Sequence, residues 1–300
     1  MDGYFHIPVM LTEALEYLAP KAGGLYFDGT LGGGGYTFAL AKIAGFKGGV
    51  LATDLDPSAL ANARNKLEEN LKLNIELVHD NFSNLDEAIA NSRFAGRKFD
   101  GFVFDLGLSS AQLEDETRGF SFLRDAPLDM DFAGSNRTIQ LVSRLSELSL
   151  KNTLSELGEE RFSGRIAKAI VTARKRRPIT TTGQLAEIVS QAVPAAFRRG
   201  PRHPATQTFQ ALRIATNDEL ENIRLALPAA FQHLKSGGRI VVVSFHSLED
   251  RIVKTCFRGL ADRDNPQARL LLKKPLVPSE IEIASNPRAR SAKLRALQKI

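Results

Sequence analysis

The chain has one cysteine, Cys256, in 300 residues. No intrachain disulfide can form, and zinc sites built on paired cysteines are argued against. No apolar run approaches the roughly 20 residues that span a bilayer, so no membrane partner is expected. Residues 1–10 carry neither a basic stretch nor the apolar centre of a secretory signal, and the chain reads as cytoplasmic. Internal repeats and low-complexity tracts are missing, and aromatics are sparse at 7%. What is present suits a folded enzyme: 43% hydrophobic residues, enough for one large domain or two ordinary ones. The net charge of +6 tilts towards an anionic partner. All of that excess is late, with 12 Lys and Arg against 4 Asp and Glu from 251 to 300, and the rest of the chain is slightly acidic.

Short apolar runs alternate with helical patterns in the first third. Leu11–Leu18 reads as a short amphipathic helix. Strands are expected at Gly24–Phe27, Val50–Thr53, Ile75–Val78 and Phe99–Phe104, three of them running into an acid: Asp28, Asp54 and Asp105. Helices are expected at Tyr36–Ala44 and from Pro57 to Leu67, with Pro57 in the first turn. Such alternation predicts an α/β fold with a parallel sheet. The next strong strand, Arg239–Ser244, follows a turn at 235–238 and lies more than a hundred residues on, whereas a crossover needs about a dozen. The stretch between is helical in pattern. The division is therefore a discontinuous first domain, 1–108 and 205–300, with an inserted helical domain at 109–204, re-entered through one helix from Thr206 to Leu227.

Between the first strand and its helix lies Asp28-Gly29-Thr30-Leu31-Gly32-Gly33-Gly34-Gly35-Tyr36-Thr37. Glycines there allow a sharp turn and close approach of a ligand to the backbone. Asp54 stands 22 residues after Gly32, where a carboxylate can accept both ribose hydroxyl hydrogens. Thr37 occupies the place of the last glycine of a dinucleotide motif, and no second mononucleotide half is evident. A single nucleoside cofactor fits better than a dinucleotide, which argues against a dehydrogenase. Phe82 follows the third strand where an adenine would lie; a core phenylalanine is the equal alternative. Asp105 is a candidate to orient a nucleophile or accept a proton, against a helix-capping role. Phe245-His246-Ser247-Leu248-Glu249-Asp250 follows the Arg239–Ser244 strand, with His246 a candidate acid or base. A Ser-His-Asp hydrolase would need a nucleophile elbow that the sequence does not contain. His6, His203 and His246 have no metal-ligand spacing, so no metal is expected. Basic groups at Arg174–Arg177, at Arg198, Arg199 and Arg202, and at Arg288, Arg290, Lys293 and Arg295 suggest phosphate binding. Phe120, Phe122, Phe132 and Phe209 are the candidate base-stacking aromatics.

Taken together these segments resemble the bacterial small-subunit ribosomal RNA cytosine-N4 methyltransferases, the MraW or RsmH family. The stretches that carry the resemblance are His6–Leu11, Asp28–Gly32, Asp105–Ser110, Arg118–Phe122, Pro127–Met130, Gly158–Arg161, His203–Thr206, Phe209–Ile214, the His246 segment and Asn286–Ser291. They run in the family's order over nearly the whole chain. The resemblance implies a Rossmann-like S-adenosylmethionine-dependent methyltransferase sheet with an inserted helical substrate-recognition domain. It implies S-adenosyl-L-methionine as donor and a cytosine in the decoding region as acceptor, in ribosomal RNA or an assembled small subunit. The family's cofactor contacts fall on Gly34, Gly35, Tyr36, Asp54, Phe82, Asp105 and Gln112. Asp105 is the first catalytic candidate, and His246 and Ser247 follow as groups that hold the base. The family usually has Arg and His where this chain has Gly33 and Tyr36, Arg-Met where it has Asp131-Phe132, and Pro where it has Ala111. A backbone contact at Tyr36 survives that change; an imidazole contact does not. A non-catalytic RNA-binding or ribosome-assembly protein is the alternative on the same fold. A homodimer is compatible with the sequence, which fixes no oligomeric state.

Overall fold

The computed structural model describes residues 8–68, 70, 72–109, 112–113, 115, 117–133, 137–200 and 203–300. His6, Ile7, Ser110, Ala111 and Arg202 lie outside the described residues. The chain divides into two compact units, Met1–Gly107 with Leu220–Ile300, and Leu108–Glu219.

The first unit is built on a seven-stranded sheet in the order β3-β2-β1-β4-β5-β7-β6. Its strands are β1 Leu25–Asp28, β2 Gly49–Asp54, β3 Ile75–His79, β4 Phe99–Asp105, β5 Leu234–Ser244, β6 Ala268–Leu270 and β7 Lys293–Lys299. β1 to β5 pair in parallel, while β7 runs antiparallel to both β5 and β6. Helices α1 Leu11–Leu18, α2 Gly35–Ala44, α3 Pro57–Glu68, α4 Leu85–Ala90, α10 Glu219–His233, α11 Ser247–Leu260 and α12 Glu280–Ser285 complete it; the numbers α5 to α9 belong to the second unit below. The sheet is covered on both faces, so its central strands are apolar throughout rather than alternating. Leu25 and Phe27 pack with Leu227, Phe231 and Phe257 on one face, while Tyr26 packs with Leu18 and Leu40 on the other. In β4, Phe102 and Phe104 face the first layer, and a register shift between Phe99 and Gly101 brings Phe99 to that same face. A bulge has this effect because one extra residue reverses the alternation.

The second unit contains α5 Arg137–Arg144, α6 Glu147–Gly158, α7 Ser163–Arg174, α8 Thr182–Ala192 and α9 Thr206–Asn217. Their inward faces, among them Leu150, Leu154, Ile166, Ile170, Leu185, Val189 and Leu212, form one apolar core. Local capping fixes two of the starts: Thr181 accepts from Gln184 N–H in a full capping box, and Ser146 accepts from Ser149 N–H.

Four sequence expectations change. The single re-entry helix is two, because Asp218 adopts φ 50° and breaks it between α9 and α10. α9 belongs with the helical unit, since Phe209, Ala211 and Leu212 are part of its core. The turn expected at 235–238 lies inside β5, which begins at Leu234 and carries Gly237 at φ 76°. Finally, the basic tail contains two strands, β6 and β7, whose Leu294, Ala296 and Leu297 are buried.

Candidate active site

The strand order reverses between β1 and β4, and in open α/β sheets ligands bind beyond the carboxyl ends of the strands at that switch point. Register places Asp28 beside Val103 of β4, and Asp105 two residues further along the same strand. Three carboxylates, Asp28, Asp54 and Asp105, therefore end three adjacent strands.

Asp28 organises the glycine-rich loop. It is fully buried; one carboxyl oxygen accepts from Thr30 N–H at 3.0 Å and the other from the Thr37 hydroxyl at 2.6 Å. Burial raises its proton affinity, and those threonine donors oppose the rise. Thr30 in turn accepts from Asp105 N–H at 2.7 Å, so the loop is tied to the end of β4. On the other side Leu31 N–H donates to Thr53 O and Gly32 N–H donates to Asp54 Oδ2 at 2.7 Å. Lys66 of α3 donates to Gly33 O. No expectation from the sequence covers the loop-organising role of Asp28, Thr30 and Thr37; their signal is an acid followed by threonines two and nine positions on.

Gly34 has φ 82°, which L side chains rarely adopt, and a Cβ there would come within 2.7 Å of the Phe38 ring. A Cβ on Gly35 would run into Pro8. α2 starts at Gly35, and the first N–H groups of a helix have no acceptor within it. Tyr36 is 3% exposed and its hydroxyl donates to Val9 O, so its side chain is committed to the N-terminal segment and only its backbone is left for a ligand. Met10 N–H donates to Glu282 Oε1 of α12, which fastens that segment from 272 residues away. No sequence pattern reports such a pairing.

Asp54 is half-buried. Besides Gly32 N–H it accepts from Asp56 N–H at 2.8 Å, one donor per oxygen, leaving further lone pairs for hydroxyl donors. Burial pushes its pKa up to about 6 against those backbone donors. Phe82 is half-buried and meets Phe104 edge-on at 5.8 Å, so it joins the core while keeping part of its ring outward. Asp105 is the member with an unsatisfied oxygen. Its Oδ1 is sealed from solvent with no hydrogen-bond partner, and burial together with the charges of Asp28, Glu249 and Glu282 holds its pKa well above the usual carboxylate range. An orphaned buried acceptor at the switch point is what a ligand donor would satisfy.

His246 is the N-cap of α11: its Nδ1 accepts from Glu249 N–H, and Glu249 Oε2 accepts from His246 N–H and Phe245 N–H. With Nδ1 accepting, the neutral ring carries its proton on Nε2. That Nε2 is buried without a hydrogen bond, 3.1 Å from Glu249 Oε1 but misaligned with it. In that tautomer Nε2 is the donor of the ring. Ser247 is the exposed first residue of α11. Gln112 belongs to the helical unit, where it is buried and its Oε1 accepts from Ser109 N–H at 3.0 Å.

Several cations grouped by sequence are occupied within the fold. Arg295 forms a two-pronged pair with Asp250 at 2.6 and 3.1 Å, with Lys293 3.7 Å from the same carboxylate. Burial alone would raise Asp250; these cations hold it below its ordinary value. Arg174 donates to Val142 O and Leu145 O, and Arg198 to Val193 O and Gln191 O. The candidate stacking aromatics are also internal: Phe120 stacks on Phe132 at 5.4 Å, and Phe122 contacts Phe209 and His203, both at 4.8 Å.

The family model described as the MraW methylase family matches residues 3–300. A ribosomal RNA small subunit methyltransferase H of Azorhizobium caulinodans is 49% identical, covering 98% of this chain and 87% of its own length. The protein of the same name from Geotalea daltonii is 44% identical over the whole of both chains. Among solved structures, a candidate rRNA-methylase from Clostridium thermocellum matches with a TM-score of 0.51 at 17% identity, over 99% of this chain and 100% of that one, a likeness of fold.

Proposed function

The chain belongs to the MraW methylase family, an S-adenosylmethionine-dependent group acting on ribosomal RNA, and from that premise we propose that it methylates the exocyclic N4 amine of a cytosine in the decoding region of the small subunit. The observation that carries this reading is Asp105, whose buried Oδ1 is an acceptor without a donor at the switch point of the sheet. The residues present fit the cofactor: Asp54 offers lone pairs to ribose hydroxyls, Gly34 and Gly35 leave room that a Cβ would fill, and Phe82 keeps an outward face for an adenine.

When bound, S-adenosylmethionine supplies a methyl group already electrophilic on its sulfonium sulfur. The protein's task is to align a weak nucleophile with it. The cytosine N4 lone pair is delocalised into the ring. Asp105 accepts one N4 hydrogen, localises that lone pair and takes up the proton as the new N–C bond forms; the methyl–sulfur bond would break with its electron pair left on sulfur as a neutral thioether. A high proton affinity suits this role, and a positive charge entering the crevice favours the ionised carboxylate beforehand. His246, through Nε2–H, donates to a ring acceptor of the base, and Ser247 stands beside it at the start of α11. The base must be unpaired or extruded to reach these groups.

The test is incubation with methyl-labelled S-adenosylmethionine and small ribosomal subunits lacking the modification, followed by digestion and mass spectrometry of nucleosides. Labelled N4-methylcytidine is expected. Label on another nucleoside overturns the N4 assignment, and no label despite cofactor binding favours the non-catalytic alternative.

A further inference from the structure

α7 has an unusual exposed face. Its sequence, Ser163–Arg174, contains no acidic residue. Ser163, Ile166, Ala167 and Ile170 are buried, and Arg165, Lys168 and Thr172 lie on the opposite, exposed side. At 100° per residue these three project within a sector of about 60°, and Lys175 and Arg176 follow in the exposed turn after the helix. From Arg165 to Arg176 the stripe runs about 16 Å at 1.5 Å per residue. None of Arg165, Lys168, Lys175 and Arg176 makes an ion pair among the described residues. A helix face evolved only for solvation usually mixes Glu with Lys at i and i+4; this one presents a single sign.

An aromatic–cation stack stands at the N-terminal end of the same helix. The Arg161 guanidinium lies 5.6 Å from the Phe162 ring centroid and 4.9 Å from that of Phe197, and the two rings are 5.1 Å apart. Phe197 is 47% exposed, whereas the aromatics expected to stack on bases are engaged with one another. An exposed ring backed by a guanidinium is the kind of platform on which an unpaired base stacks, and a row of cations beside it follows a phosphate backbone.

We propose that this face of α7, with the Arg161–Phe162–Phe197 stack at its end, is the docking ridge for a single-stranded segment of the ribosomal RNA substrate. Phosphates lie along Arg165, Lys168, Lys175 and Arg176, and one base stacks on Phe197. The inference rests on the ribosomal RNA reading above and adds where the RNA is held. The experiment measures binding of small-subunit ribosomal RNA to the full chain by fluorescence anisotropy over a series of salt concentrations. The variants are Arg165→Glu with Lys168→Glu, the milder Arg165→Gln with Lys168→Gln, and Phe197→Ala. Cofactor affinity by calorimetry reports that each variant is folded. The double variants are expected to lose roughly tenfold or more in RNA affinity and to flatten the log–log salt slope by about 1.4, since each single-strand phosphate contact contributes about 0.7. Phe197→Ala is expected to weaken binding roughly tenfold with the slope unchanged. With assembled subunits the loss should fall on KM, not kcat. Wild-type affinity and slope in all three folded variants would overturn the proposal, as would equal loss of binding to phosphatidylserine vesicles with none to RNA. Because the readout is binding, failure of the wild type to methylate cytosine sinks the function reading and leaves this test standing.

Discussion

The sheet unit and the helical unit use charge in opposite directions. In the sheet unit charged groups turn inward to partners: Asp28 to two threonines, Asp100 to Leu25 N–H, Lys21 and Lys235, Asp250 to Arg295, and Lys299 to the carbonyls of Phe231 and Leu234. The helical unit has inward charges too, such as Arg213 on Glu219, yet Arg165 and Lys168 on the outer face of α7 form no ion pair among the described residues. Clustered cations look the same in a sequence. What separates a structural cluster from a binding cluster is whether carboxylates and carbonyls of the same fold reach it first.

That contrast can be broken from either side, and the largest effect is expected at Asp105, whose buried Oδ1 has no hydrogen-bond donor among the described residues. Asp105→Asn keeps the shape and removes the acceptor; methyl transfer should fall about 10²–10⁴-fold, the range of a lost general base. Single-turnover assays with cofactor affinity measured in parallel check it, and near-normal turnover would remove Asp105 from the chemistry. Next comes Asp250→Ala, which strands Arg295 in a half-buried site. Denaturant unfolding should show a loss of about 2–3 kcal/mol, the scale of a charged hydrogen-bonded pair broken on one side. RNA affinity at a temperature where the variant is folded should stay unchanged, and a weakened affinity there would show that the tail's cations also reach RNA. By contrast the α7 ridge variants should alter stability by no more than about 0.5 kcal/mol, as exposed substitutions do.

The smallest effect is a pH dependence at Asp54. Its folded pKa of about 6 lies above the ordinary 3.8, so the folded chain holds this proton more tightly. Below 3.8 that preference favours folding in full, and it is lost as pH rises through about 6. Cofactor affinity should move the other way. The carboxylate that accepts ribose hydroxyls is present above about 6, so calorimetry should show binding weaken as pH falls through that value. Asp54→Asn should flatten the profile; a profile identical to wild type would assign the titration to another group.

Much of this was legible in the chain itself. β1, β2 and β4 announce themselves because strands covered on both faces are short, largely apolar runs, and Asp28, Asp54 and Asp105 punctuate their ends; the edge strand β3 shows instead through its Ile75, Leu77 and Val78. β7 was not legible: Lys293, Arg295 and Lys299 gave it the look of a basic tail, although Leu294, Ala296 and Leu297 are the residues that fix it in the sheet. Asp218 ends α9 in a left-handed conformation without the glycine that usually signals it. In the candidate site, Asp54 and Asp105 were readable as acids at strand ends, whereas the loop-organising role of Asp28 was not. The Glu282–Met10 bond and the tautomer imposed on His246 by Glu249 were not, because one depends on tertiary proximity and the other on the geometry of a cap. Phe197 escaped notice for a related reason: its value lies in exposure, which only the packing of Phe120, Phe122, Phe132 and Phe209 against one another brings out.

The place of β7 in the sheet has a consequence for biosynthesis. Last of the seven strands to be translated, it sits between β5 and β6, and α12 just before it holds Met10 beside the glycine-rich loop. Until α12 and β7 have been made, a growing polypeptide therefore carries β5 as an open edge, with Met10 not yet held by Glu282. Such edges recruit stray strands. An unpaired β5 is therefore the place where a partly made chain is open to mispairing, and β7 closes it.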